Sequence, residues 1–232
     1  MNEDGISRPR VLWVILVVAS PIVVLGVIGN LIGLSTLLGG AIINLGYVLA
    51  ILLGGFILKQ QASSWKEIGL GRPANWLKTI LSGVGAWLGA LVIFILAQNL
   101  SVGIMIALGI MPTEIDQSRF DSVIGNLPFL ILMVTLAWTT IAFGEELFYR
   151  AFIVSRLMDH AAMGKWGAIL ISGTLFGIVH FAEGPIGILS NGAFGVLFAW
   201  IYVRSDRNLW ITIIAHGLLN TLRFVLLYAG LA

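Results

Sequence analysis

The sequence predicts an all-α bundle of membrane-spanning helices with a cytoplasmic N-terminus, and three observations carry that expectation. Of its 232 residues, 59% are hydrophobic and only 10% charged, where a soluble domain carries roughly 25% charged residues. The apolar residues gather in runs near the length of about 20 residues that crosses a hydrocarbon core about 30 Å thick. The basic residues flank those runs, as topology signals do.

Seven runs have a suitable length: 11–29, 38–58, 78–98, 128–149, 165–182, 186–203 and 209–229. The first follows Arg8 and Arg10. It is too long for the apolar part of a signal peptide and a second run follows at once, so it reads as a membrane anchor. Between the second and third runs lies KQQASSWKEIGLGRPANWLK (59–78), the longest polar stretch. It reads as a cytoplasmic connector whose Trp65 and Trp76 sit at headgroup level. After the third run, SVGIMIALGIM (101–111) is too short to span alone. It extends the third helix or forms a re-entrant piece, which makes eight helices the second choice.

An N-in arrangement puts Arg8, Arg10, Lys59, Lys66, Arg72, Lys78, Arg156, Lys165, Arg204 and Arg207 on the cytoplasmic side. Of the 13 basic residues that leaves only Arg119, Arg150 and Arg223 elsewhere. The opposite loop, PTEIDQSRFD, is mostly acidic, so the charge asymmetry obeys the positive-inside bias. No internal repeat or break in composition divides the chain, and residues 1–232 read as one integral membrane domain.

Several function classes drop out. Cys is absent, which removes disulfides, thiolate metal sites and cysteine nucleophiles. The net charge of +2 comes from scattered residues rather than a basic run, so no nucleic-acid partner is expected. The 28 glycines lie within the apolar runs, where small residues let helices approach closely. They permit a dimer but serve internal packing equally well, and the oligomeric state stays open.

Ionisable side chains inside the membrane cost about 2.5 to 3.5 kcal/mol each on insertion scales and mark functional sites by default. Glu145, Glu146 and Arg150 lie on the fourth helix, His180 on the fifth, His216, Asn220 and Arg223 on the seventh. Glu146 and Arg150 are four residues apart with the acid first, the favourable order for an ion pair. Glu145 is one helical step round and remains free for another neighbour. Phe176 and His180 share a face, as do His216 and Asn220. The polar stripes on three helices are expected to meet in an internal cavity rather than face lipid.

A carboxylate and a histidine in such a cavity can activate water, and a second histidine with an asparagine can hold the oxyanion formed at a peptide carbonyl. Zinc ligated by Glu145, His180 and His216 is another way to use the same side chains, although the helical H-E-x-x-H signature is missing. A plainer account treats Glu145 as a structural carboxylate satisfied by a tyrosine or backbone donor, the histidines as packing groups and Asn220 as interhelical glue. Arg223 reads as an ion-paired or snorkelling group, Asn191 as packing glue, and His160 and Glu183 as solvated helix-end residues.

EELFYR (145–150), FGIVH (176–180) and HGLLN (216–220) resemble, in that order, the E-E-x-x-x-R, F-x-x-x-H and H-x-x-x-N/B motifs of the CAAX protease and bacteriocin-processing family, also called CPBP or Abi. The type II CAAX prenyl endopeptidase belongs to it. The resemblance covers about residues 128–225. It implies an intramembrane endopeptidase in which Glu145, assisted by His180, activates water while His216 and Asn220 stabilise the oxyanion. Glu146 and Arg150 would be the pair that orients the site, and Phe176 would support it. Members are usually labelled metalloproteases, and a metal-independent glutamate mechanism is also proposed for them. The substrate would be a lipidated or otherwise membrane-associated peptide or protein, in a prokaryotic plasma membrane. Two other classes compete: a proton-coupled transporter, which the missing inverted repeat disfavours, and a non-catalytic scaffold or immunity protein.

Helix-end counting places Glu145 and His216 in the cytoplasmic half and His180 nearer the opposite face. Convergence therefore needs a tilted fifth helix, one that starts below the membrane surface, or a fourth helix that breaks near Gly144. Residues 150–160 are expected to leave the spanning helix and run along the interface, opening the cavity to the cytoplasm.

Overall fold

The computed structural model describes residues 8–33, 37–111 and 118–231, and residues 112–117 of the acidic PTEIDQSRFD stretch lie outside them. Among the described residues there is no strand, and every expected run is helical. The helices are α1 (Arg8–Ile32), α2 (Leu37–Gln60), α3 (Trp76–Ala107), α4 (Leu127–His160), α5 (Lys165–Ile178), α6 (Gly184–Arg204) and α7 (Leu209–Tyr228). Six are long and apolar enough to cross a membrane. The protein is an all-α integral membrane bundle.

Two expectations are revised, and one open alternative is decided. The fifth run yields a helix of 14 residues, about 21 Å long at 1.5 Å per residue, which is short of the hydrocarbon core. The segment 101–111 continues α3 as far as Ala107, the first of the two alternatives, and makes no separate helix among the described residues. Finally, α4 neither breaks near Gly144 nor leaves the bundle at residue 150, but runs for 34 residues to His160. Its sequence gives the reason. Every residue from Gly144 to Leu157 is buried, with large apolar side chains at 147, 148, 152, 153, 154 and 157, and its charged side chains are answered by protein partners rather than by water: Glu146 by Arg150 and His216, and Arg156 by Gln61.

The same stretch of α4 takes wider, π-type turns over Ala137–Ala142, Glu146–Val154 and Arg156–His160, a departure often found at functional sites. At 34 residues α4 spans about 51 Å, more than a hydrocarbon core of about 30 Å. One end must therefore project or the helix must tilt. Lys165, which opens α5, follows directly after α4 and so need not begin at the hydrocarbon boundary.

Glycines set the closest approach. A Cβ on Gly177 would lie 2.5 Å from the Ile188 carbonyl oxygen, and one on Gly173 2.6 Å from the Val196 amide nitrogen, so α5 and α6 meet backbone to backbone. At one end of the bundle the connector after α2 is docked rather than loose. Tyr202 donates to the Ile68 carbonyl at 2.8 Å and the Trp210 indole to the Gly71 carbonyl at 3.1 Å. Gly69 between them has φ +115° and lies against the Arg207 carbonyl, leaving no room for a side chain. Trp65 packs on Gly54 and Gly55 of α2 and on Phe152 of α4, with ring centroids 6.0 Å apart.

Replacing Gly177 by alanine should force α5 and α6 apart at an overpacking cost of about 1–3 kcal/mol. Gly89→Ala, where a Cβ meets nothing within 4 Å, should not destabilise. Thermal unfolding of the two variants in detergent checks this, and equal midpoints would contradict the packing described.

Candidate active site

The centre of α4 carries a buried chain of charges. Arg150 and Glu146 are both fully buried, with Nε 3.2 Å from Oε2, an ion pair four residues apart as the spacing predicts. The other oxygen of Glu146, Oε1, lies 2.9 Å from His216 Nδ1. The remaining ring nitrogen, His216 Nε2, is 3.8 Å from Oε2 of Glu145, beyond hydrogen-bond length but within ion-pair range. The order is therefore Arg150, Glu146, His216, Glu145. A carboxylate can only accept, so Nδ1 of His216 donates to Glu146 and Nε2 is the nitrogen turned to Glu145.

Local sequence explains the meeting of α4 and α7. Gly217, next to His216, leaves the space that the Trp138 ring occupies, since a Cβ there would fall 2.6 Å from it. The Trp138 indole then donates to Thr221 Oγ1 at 3.0 Å, fixing the two helices one turn from His216. On α5, Ser172 donates to the Tyr149 carbonyl at 2.8 Å and holds α5 against the same segment of α4.

Aromatic rings enclose the charges. The Arg150 guanidinium carbon stands 4.4 Å from the Phe176 centroid and within 6 Å of Tyr149, Phe194 and Phe198. Both terminal nitrogens lack hydrogen-bond acceptors, so ring faces take the place of water around a permanent cation. His216 meets Phe194, Phe198 and Phe176 edge-on at 5.1, 6.0 and 6.2 Å. The Phe176 ring thus contacts Arg150 and both histidines, with the His180 ring 4.8 Å from it.

The structure brings His216, rather than His180, to Glu145. His180 lies just past the end of α5, hydrogen-bonded through Nδ1 to the Phe176 carbonyl at 2.8 Å, and among the described contacts it makes no ion pair or hydrogen bond with Glu145. The reason is the shared face of Phe176 and His180: both side chains follow α5, whereas α7 approaches α4 directly at Gly217. Asn220 lies one turn beyond His216 on α7, with its Nδ2 buried and without a hydrogen-bond acceptor.

Two residues near Glu145 escaped the sequence reading. Tyr47 of α2 and Tyr149 of α4 are buried beside it, with the Tyr47 hydroxyl in hydrogen-bonding reach of both Glu145 and Tyr149. Tyr47 has no signal in sequence, because nothing in the periodicity of α2 distinguishes it from packing. Tyr149 stood within EELFYR itself. Glu183, expected to be solvated, is half-buried and accepts from Asn191 Nδ2 at 3.0 Å. Arg223 lies over the Phe120 ring at 4.9 Å.

Among the described residues no group of three His, Cys, Asp or Glu side chains forms a metal-ligating cluster. His180 is engaged with the Phe176 carbonyl rather than gathered with Glu145 and His216, so the side chains as arranged do not fit the zinc set that their residue types suggested.

Residues 127–222 match the family model described as Type II CAAX prenyl endopeptidase Rce1-like. No curated protein and no solved structure matches the chain. The matched segment starts with α4, ends within α7 and contains all three motifs. This motif-bearing core, which holds Glu145, Glu146, Arg150, Phe176, His180, His216 and Asn220, is similar to the Rce1-like type II CAAX prenyl endopeptidases.

Proposed function

We propose that the protein is an intramembrane endopeptidase that hydrolyses a peptide bond of a membrane-associated or lipidated, CAAX-like protein with water activated at Glu145. The observation that carries this reading is the buried Glu145, 7% exposed, held at ion-pair distance from an imidazole whose far nitrogen is tied to a second carboxylate. Water bound at Glu145 loses a proton to that carboxylate as its oxygen adds to the peptide carbonyl. The carbonyl electron pair moves onto oxygen, and the buried, unpaired Nδ2 of Asn220 is a donor suited to that oxyanion.

His216 has a conditional role. Its Nδ1–H is committed to Glu146, so it can donate to an oxyanion only through Nε2, and only after Nε2 has taken a proton. Glu146 orients the ring through its Nδ1–H, as the carboxylate does in a carboxylate–histidine pair, and Arg150 holds Glu146 in turn. When the C–N bond breaks, the leaving amine takes the proton held between Glu145 and His216. One water is consumed, and an acid and an amine are released. No step runs through a metal. His180, bonded through Nδ1 to the Phe176 carbonyl, takes no part in the proton transfers of this reading. We take the basic end of the bundle as cytoplasmic, in a prokaryotic plasma membrane, with substrate entering from that side.

Glu145→Gln keeps the shape and removes the base. It should lower kcat about 10²- to 10⁴-fold with little change in thermal midpoint, measured on a membrane-anchored peptide in liposomes. Unchanged cleavage would overturn the mechanism, and solute flux without cleavage would point to a transporter. Asn220→Ala should lower kcat about 10²- to 10³-fold at nearly constant KM. Cleavage should also survive exhaustive dialysis against a chelator, and a loss restored by Zn²⁺ would bring a metal into the reaction.

A further inference from the structure

At one end of the bundle α1 begins, the connector joins α2 to α3, α4 gives way to α5, and α6 turns into α7. Side chains hold these turns at one level. Arg156 donates to the Gln61 side chain, Arg207 donates twice to Asp159 at 2.6 Å, and Asn208 donates to Thr79 at 2.9 Å. The start of α1 lies beside the end of α2, since Val18 reaches Gly54 and Pro21 reaches Gly46 in antiparallel register.

Chain segments arriving at this end carry an exposed cation close to an indole. Arg10 and Trp13 stand one turn apart on α1, Lys66 follows Trp65 in the connector, and Lys78 lies two residues after Trp76 on α3. Lys165 precedes Trp166 at the start of α5, and Arg204 stands one turn after Trp200 on α6. Trp13, Trp76, Trp166 and Trp200 are 68%, 39%, 55% and 41% exposed. All five cations are exposed, and among the described residues none of their charged side-chain groups makes a hydrogen bond or ion pair. Of the nearby acids, Asp159 is held by Arg207 and Glu67 accepts from the Ser64 amide, leaving Asp206 exposed.

The other end is built differently. It exposes Leu108, Ile110, Met111, Phe181 and Leu231, and no tryptophan lies there, since Trp87 and Trp138 sit well inside α3 and α4. Indoles settle at the headgroup level of a bilayer, and cations beside them reach the phosphates.

We propose that this end of the bundle is a docking face for the phosphodiester headgroups of anionic phospholipids, anchoring the protein to one leaflet. An acidic protein partner would be served by cations collected in one groove. Here they are spread over four helices and the connector, each beside an exposed or half-exposed indole, which suits a ring of lipids. Anchoring on one side fixes the depth of Glu145 below that leaflet and leaves the opposite end to absorb differences in bilayer thickness. This holds whether or not the protein cleaves peptides.

The test uses the full chain in nanodiscs made from an equal mixture of phosphatidylglycerol and phosphatidylcholine. Native mass spectrometry then counts the lipids retained. Phosphatidylglycerol should be enriched about fivefold or more, the gain of one cation near an anionic surface, and the enrichment should fall at high salt. Replacing Arg10, Lys66, Lys78, Lys165 and Arg204 together by glutamine should bring it near parity. Equal retention of both lipids by the unaltered protein, or enrichment indifferent to salt, would overturn the proposal even if the glutamine variant fails to insert. Equal lipid retention with capture of polyglutamate would assign the face to an acidic protein instead.

Discussion

The structure is organised around a permanent cation with no access to water. Arg150 is fully buried in a helix that is itself enclosed from Gly144 to Leu157. A guanidinium keeps its charge at any accessible pH, so the bundle must answer it with an opposite charge and polarisable surfaces. Glu146 supplies the first, and the rings of Tyr149, Phe176, Phe194 and Phe198 supply the second. Those rings come from three helices, and α4, α5 and α6 are thereby drawn to one point.

From that point the geometry of the site follows. Held by Arg150, Glu146 has one oxygen left, and it takes the Nδ1 proton of His216. This fixes the imidazole tautomer and aims Nε2 at Glu145. The two adjacent glutamates therefore differ in kind: one is a fixed anion inside the core, and the other is reached by an imidazole and two tyrosines at the margin of the site. In the proposed reaction that difference separates orientation from proton transfer. Substituting Arg150 or Glu146 alone leaves a buried, unpaired charge, a change that typically costs about 3–5 kcal/mol.

Glycine is the second constraint. Helices in lipid gain little from burying apolar surface against each other and rely on close packing instead. Gly173 and Gly177 allow α5 to lie on α6, and Gly217 allows Trp138 to lie on α7. These contacts position Phe176, Phe194 and His216 relative to α4 within the small tolerance that the chain of charges needs. A short α5 belongs to the same arrangement. His180 follows just past its end and is tied to it by the hydrogen bond to the Phe176 carbonyl.

The sequence by itself determined the all-α membrane class, the seven helical runs, the Glu146–Arg150 pair and the residues of the three motifs. Each is a local property: run length, the i, i+4 spacing, or residue order along one segment. Tertiary structure alone decided that α5 stops after 14 residues, that α4 continues through residues 150–160 as the buried centre of the bundle, that Glu145 meets His216, and that Tyr47 joins them from α2. Those outcomes depend on which helix approaches which, and at what register. That is set by where a glycine meets a tryptophan or another backbone on a different segment, a match between distant residues that no periodicity within one helix encodes.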